Sequence, residues 1–172
     1  YMDAEGKCIS PLYTWQDGRG DLPVDTLPQR KSTVDWAGET FGLPLATGFG
    51  LVTHLYHVKT GQVPEGSSCI CTVEDYLGML LTGRKRPLVH SSNAASFGFY
   101  DSKNGGFCLE EIRQSGMDTA LLPEVTDALE ILGTYQGIPV TVALGDNQAS
   151  FLGAAGLEEG TWLLNVGTGG QL

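Results

Sequence analysis

Pro139-Val140-Thr141-Val142-Ala143-Leu144-Gly145-Asp146-Asn147-Gln148 is the stretch that decides the fold. Its first six residues carry no charge, which predicts a central strand buried on both faces. Gly145-Asp146 closes the strand, and the residues after it predict a helix from Asn147 to about Ala155. An acid at the end of a buried strand, just before a helix, sits where open α/β sheets bind ligands. A carboxylate placed there can take a proton from a substrate hydroxyl. Asp is also a favoured helix N-cap, and the two roles can coexist in one residue.

Towards the C-terminus, Thr161-Trp162-Leu163-Leu164-Asn165-Val166 predicts a second uncharged strand, which meets Gly167-Thr168-Gly169-Gly170. Glycines let a backbone approach phosphate oxygens and aim N–H groups at them, and Thr168 adds a hydroxyl donor. An ordinary glycine-rich hairpin accounts for the same residues. No Lys-Ser/Thr follows, so this is not a Walker loop.

Towards the N-terminus, helices alternate with short strands, which implies an α/β or mixed sheet. Cys108–Ser115 predicts a short helix ended by Gly116, and Asn104-Gly105-Gly106 a turn. Thr72-Val73-Glu74-Asp75 reads as a capping box. It opens a helix with Tyr76, Leu77, Leu80 and Leu81 on its buried face and Gly83 at its end. Ser68–Cys71 predicts a short strand. Leu51, Val52, Leu55 and Tyr56 form the stripe of a helix from Thr47 to about Lys59, stopped by Gly61. Residues 21–47 hold many breakers, with a short helix around Val34–Glu39. Residues 1–16 read as a hairpin and a strand.

That strand ends in Trp15-Gln16-Asp17-Gly18-Arg19. An apolar ring beside an amide and a carboxylate suits a polyol, whose C–H faces pack on the ring while its hydroxyls bond the polar heads. A core tryptophan at a strand end is the alternative. His54 and His57 share a helix face, but Cys69-Ile70-Cys71 lacks the spacing of a zinc knuckle, so no metal site is expected. Gly48-Phe49-Gly50 has Thr53 where a dinucleotide fingerprint needs its third glycine.

Composition narrows the function classes. The 172 residues are 41% hydrophobic and 17% charged, enough apolar material for a core and too little charge for disorder. The net charge is −10, and Arg84-Lys85-Arg86 is a single short basic run, so a nucleic-acid binder is excluded. No run approaches the roughly 18 apolar residues of a membrane span. Four scattered cysteines and no secretory leader suit a reduced, cytoplasmic protein. The chain opens in what reads as mid-hairpin, and a piece of a longer protein is expected.

Five segments together resemble the FGGY carbohydrate kinases. Ser10–Arg19 resembles their substrate-domain strand, and Cys71–Gly83 their helix ending in Leu-Thr-Gly. Ser92-Asn93-Ala94-Ala95-Ser96 resembles their small-residue motif. Gly145-Asp146-Asn147-Gln148-Ala149-Ser150 is similar to the segment carrying their catalytic base, and Asn165–Gly169 to their second phosphate motif. Order and spacing fit across nearly the whole chain. The pairing of Thr14–Arg19 with Ala46-Thr47-Gly48-Phe49-Gly50 looks like sedoheptulokinase-like members.

The resemblance implies an actin-like α/β fold of two ribonuclease-H-like domains. Residues 1–145 would belong to the N-terminal, sugar-binding domain and 146–172 to the start of the C-terminal, nucleotide-binding domain. It implies ATP-dependent phosphoryl transfer, with Mg²⁺, to a ketose such as sedoheptulose or xylulose or a related polyol. Asp146 would be the general base. Gly167, Thr168 and Gly169 would contact ATP phosphates, while Trp15, Gln16, Asp17 and Gln148 would serve the sugar. The expected partners are a sugar and ATP, with a homodimer compatible and neither nucleic acid nor membrane. The family's first phosphate motif, its adenosine motif and its histidine-glycine sugar motif are absent, so these residues alone are expected to be inactive. Between Leu122 and Gly145 the chain is shorter than many members. A non-catalytic sugar-binding or regulatory module of the same fold is the alternative. An actin-like chaperone ATPase leaves the Trp-Gln-Asp cluster without a role.

Overall fold

A computed structural model describes residues 1–156, 160, 162–166 and 170–171. Helix α1 (Thr33–Phe41) contains the expected Val34–Glu39 turn. Ser32 caps it by accepting the Asp35 N–H at 3.1 Å. Helix α2 (Gly50–Thr60) ends, as its sequence predicts, at left-handed Gly61. It starts three residues later than Thr47, because Gly48 holds a φ of +85° and touches the Trp15 backbone. Leu51, Val52, Thr53, His54, Leu55 and His57 are all buried, so α2 is the central pillar of the molecule.

Helix α3 (Val73–Thr82) is capped by Thr72, which accepts the Asp75 N–H at 3.3 Å. The capping box differs in its return arm: the Asp75 carboxylate takes the Thr72 hydroxyl at 2.6 Å instead of reaching the cap's own amide. The expected apolar face is also displaced. Leu77 and Leu80 are 54% and 61% exposed, while Asp75, Gly78 and Met79 are buried. Met79 packs with Met2 and Cys69, and a Cβ on Gly78 would lie 3.0 Å from Leu132. The neighbours came to the slimmer face, where a glycine admits them closely.

Strand β1 (Leu88–His90) runs into α4 (Ser91–Ala94). Strands β2 (Tyr100–Asp101) and β3 (Gly106–Phe107) form a hairpin around the predicted turn, followed by α5 (Leu109–Gln114). Strand β4 (Glu124–Thr126) pairs parallel with β1, placing Val89 opposite Val125. Val89, Ala94, Phe97, Phe99, Ile112 and Met117 close over Leu51 and Leu55 to make the core.

Strands β5 (Ile131–Tyr135) and β6 (Ile138–Thr141) form an antiparallel hairpin. Gln136 and Gly137 both hold positive φ, as a type I′ turn requires. This corrects the reading of Pro139–Leu144 as a central strand. The strand ends at Thr141, Ile138 is 67% exposed, and of the six residues only Val142 is fully buried, with Gly145 just beyond it. An uncharged run shows that burial is tolerated; it does not supply the neighbouring strands that would do the burying.

Helix α6 (Asp146–Ala155) follows, then β7 (Asn165–Val166) paired with β8 (Gly170–Gln171). Of the expected strand Thr161–Val166, residues 162–164 are not in a strand and Thr161 lies outside the described residues. The expected hairpin forms as a short turned pair around Asp3–Gly6, with Met2 bridging Cys8 and the Asp3 and Ile9 amides bonded to the Lys7 and Tyr1 carbonyls; Met2 also bridges Cys69, and residues 11–15 pair with no strand among the described residues. The expected strand Ser68–Cys71 is not a strand, but it bridges Met2 at Cys69, and the Ile70 N–H donates to the Leu121 carbonyl at 2.9 Å.

Candidate functional site

Helix α6 begins one residue earlier than its sequence suggests. Gly145 takes the N-cap position, and Asp146 is the first helical residue, exposed to solvent. Asp146 is therefore not the cap. Its carboxylate accepts the Asn147 N–H at 2.7 Å and is otherwise open to incoming groups. The turn is tethered from the small-residue motif. The Gly145 N–H donates to Ser92 Oγ at 2.9 Å, and Asn93 Nδ2 donates to the Ala143 carbonyl at 3.3 Å. A Cβ on Gly145 would lie 2.5 Å from Gln148 Oε1, 3.3 Å from the Ser92 carbonyl oxygen and 3.4 Å from Asn93 Oδ1. Two motifs separated by about fifty residues are thus in close contact at Gly145.

Gln148 lines an open, polar cavity of about 450 Å³ with Ser91, Ser92, Tyr100, Lys103 and Asp127. Hydroxyls, an amide, an ammonium and a carboxylate around one space suit a polyhydroxylated molecule.

Trp15 is 80% exposed, which removes the core-tryptophan alternative and leaves its ring free to stack. Gln16 is exposed beside it. Asp17 is committed internally: it accepts the Arg19 N–H at 3.0 Å and pairs with the Arg19 guanidinium at 2.5 Å. It shapes the loop more than it offers oxygens to a ligand. The Thr47 hydroxyl donates to the Asp17 carbonyl at 3.1 Å, and a Cβ on Gly48 would lie 2.1 Å from the Trp15 carbonyl oxygen. The Trp15–Arg19 and Ala46–Gly50 motifs are therefore one packed unit. A Cβ on Gly50 would meet the Phe97 ring at 3.1 Å, so the segment that carries Ser92 and Asn93 also abuts this unit. Beside it lies an apolar cavity of about 290 Å³, lined in part by Tyr13, Thr14, Gly48, His54, Cys71 and Phe97.

Sequence reasoning paired His54 with His57 but missed Tyr1, which joins them beside that cavity. The Tyr1 hydroxyl lies 2.8 Å from His54 Nδ1 and 2.9 Å from His57 Nδ1. Burial, helped by the nearby His57, pushes His54 down to about 4, and burial also lowers His57. The Cys69 thiol donates to the Ile70 carbonyl at 3.3 Å and the Cys71 thiol lies 3.6 Å from Met2 Sδ. Burial raises both thiols, Cys71 to about 12. No local signal ties Tyr1 to a histidine more than fifty residues away. His90 was missed for the same reason. Gly167, Thr168 and Gly169 lie outside the described residues.

No family profile matches the chain. A sedoheptulokinase of Homo sapiens is 33% identical over 98% of this chain, and that of Mus musculus 32% over 98%. A xylulose kinase of Streptomyces coelicolor is 28% identical over 98% of the chain. The chain spans 35% of each sedoheptulokinase and 37% of the xylulose kinase, about a third of the length of these relatives. Ligand-bound xylulose kinase from Lactobacillus acidophilus superposes with a TM-score of 0.58 at 14% identity, covering 69% of this chain and 27% of that one. Plasmodium falciparum glycerol kinase with ADP gives 0.55 at 17%, covering 73% and 27%. These likenesses show the fold, part of an actin-like α/β architecture.

Proposed function

Because this chain belongs to the FGGY carbohydrate kinases, we propose that the protein carrying it transfers the γ-phosphate of ATP to a hydroxyl of a ketose or related polyol in the cytoplasm. The observation that carries the reading is Asp146, solvent-open on the first turn of α6 with its preceding glycine held from a second motif. Phosphoryl transfer needs positioning, charge neutralisation and an acceptor for the hydroxyl proton. Asp146 accepts that proton. Trp15 stacks against the sugar's C–H face, Gln16 and Gln148 bond its hydroxyls, and Asp17 holds the Trp15 loop in shape. Gly167, Thr168 and Gly169 contact the phosphates.

Mg²⁺ takes oxygen ligands and is commonly held by one or two carboxylates plus substrate phosphates. Mg²⁺ would arrive on the nucleotide, held chiefly by its phosphates, with Asp146 the exposed carboxylate on the first turn of α6. Residues 1–145 form part of the sugar-binding domain and 146–172 open the nucleotide-binding one. The division is supported by a core that draws on residues from Ala37 to Met117 and none from α6.

The test is a coupled ADP-release assay on the whole protein with pentoses, hexoses, sedoheptulose and glycerol. One sugar should support turnover, and Asp146→Asn should remove it. A polypeptide cut to these 172 residues should show no turnover and should self-associate, alone or as a homodimer, through Ile131, Ile138, Trp162 and Leu164, all exposed. Turnover by the whole protein that Asp146→Asn leaves intact overturns the base assignment.

A further inference from the structure

We propose that Ser92 and His90 are positioning residues for Asp146, acting through the Gly145 amide; the inference rests on the reading of Asp146 as the base. The hydrogen positions are dictated by the partners. The Gly145 N–H donates to Ser92 Oγ at 2.9 Å, so the Ser92 hydroxyl hydrogen is free for His90 Nδ1 at 2.8 Å. The Ser92 backbone N–H donates to the same Nδ1 at 3.2 Å. Two donors aimed at Nδ1 require a lone pair there. His90 therefore carries its proton on Nε2, which faces the Asp127 carbonyl oxygen at 3.3 Å. The ring is held at both nitrogens, the hydroxyl is oriented by the ring, and the hydroxyl holds the amide one residue before Asp146.

Helix α6 gives this tether its importance. None of its residues is buried. Among the described residues nothing packs over its first turn, and the contacts that place the Asp146 turn are those to Ser92 Oγ and the parallel Asn93–Ala143 bond. A general base must come within about 2.6–3.2 Å of the oxygen it deprotonates. A displacement of about 1 Å can cost on the order of 10²-fold in rate. Gly145 keeps the approach close: a Cβ there would displace the Gln148 amide and press on the Ser92 carbonyl.

The test uses the whole protein. Ser92→Ala should lower kcat about 10-fold with the KM for ATP unchanged. Ser92→Thr, which keeps the hydroxyl, should restore most of it. In an Asp146→Asn background, Ser92→Ala should have no further effect, because the residue it positions is gone. Hydrogen exchange at the Gly145 amide should speed up in Ser92→Ala. If Ser92→Ala does not fold, His90→Asn carries the test: it keeps a cap for the Ser92 N–H, loses the ring, and should lower kcat several-fold. Wild-type kcat in these variants beside a crippled Asp146→Asn overturns the positioning role alone. So does a Ser92→Ala effect that multiplies in full on Asp146→Asn. Wild-type kcat in Asp146→Asn overturns the base reading and the positioning role with it.

Discussion

Helices α2 and α6 are nearly equal in length, eleven and ten residues, yet they live in different environments. Six residues of α2 are buried, including two histidines; none of α6 is. Each helix is preceded by a glycine that touches a distant motif: Gly48 lies against the Trp15 carbonyl and Gly145 against Ser92 and Asn93. The two diverge beyond the first turn. Helix α2 is fixed along its whole length by Ile70, Val89, Phe97 and Ile112. Helix α6 is fixed at its start, where its one acidic residue stands. One helix is packed along its length and the other stands open among the described residues.

The largest expected effect tests that division on the α6 side. Asp146→Asn should lower kcat by about 10²-fold or more while leaving sugar KM and the melting temperature close to wild type. A large fall in melting temperature would show that Asp146 belongs to the folding core instead. The next tests packing. Leu55→Ala should destabilise by about 2–5 kcal/mol in urea unfolding, since its side chain is fully buried. Phe151→Ala on α6, being a partly exposed site, should cost well under that, about 1 kcal/mol or less. Equal costs would erase the contrast.

Glycine substitutions sharpen it further. Gly48→Ala meets a carbonyl oxygen at 2.1 Å and an unfavourable φ of +85°, and should destabilise by about 1–3 kcal/mol. Gly153→Ala on α6 meets nothing within 4 Å, and should stabilise by about 0.5–1 kcal/mol through helix propensity.

The smallest effect is in pH. Burial pushes Asp75 up to about 6, against an ordinary carboxylate value near 4, while the Thr72 hydroxyl works to lower it. A carboxyl whose folded pKa is raised contributes stability that is present below about pH 4 and lost as pH rises through about 6. His54, held near 4 rather than about 6.5, runs the other way: its contribution is present above about pH 6.5 and lost as pH falls through 4. The two oppose each other across the same window, so wild-type stability should change little there. Asp75→Asn should unmask a steady rise from pH 4 to 6.5, read by urea unfolding at half-unit steps. The imidazole of His54 should stay neutral down to about pH 4 by NMR titration.

The start of α3 and the ends of α2 and α3 were legible because those signals act within a few residues. The Thr72 hydroxyl reaches an amide three residues on, and Gly61 and Gly83 adopt the left-handed φ that stops a helix at little cost. The same holds for the chemistry of the candidate site: Trp15, Gln16, Asp17, Asp146 and Gln148 are legible as residue types in motifs of recognisable order. Burial was not legible. Leu77 and Leu80 fit a buried stripe yet face outward, and the uncharged run after Ile138 became an exposed hairpin arm.

Sequence by itself determined the Thr72 cap, the stops at Gly61 and Gly83, the turn at Asn104-Gly105 and the family pattern, since each depends on neighbours along the chain. Only the tertiary structure decided that Met2 and Leu132 would take the Gly78–Met79 face of α3. Only it bound Tyr1 to His54 and His57, and only it hung the Asp146 turn from Ser92 and His90. A buried face or a tether across fifty residues exists only when another segment arrives to make it. Which segment arrives depends on the shape of the whole chain, and no local run of residues encodes that shape.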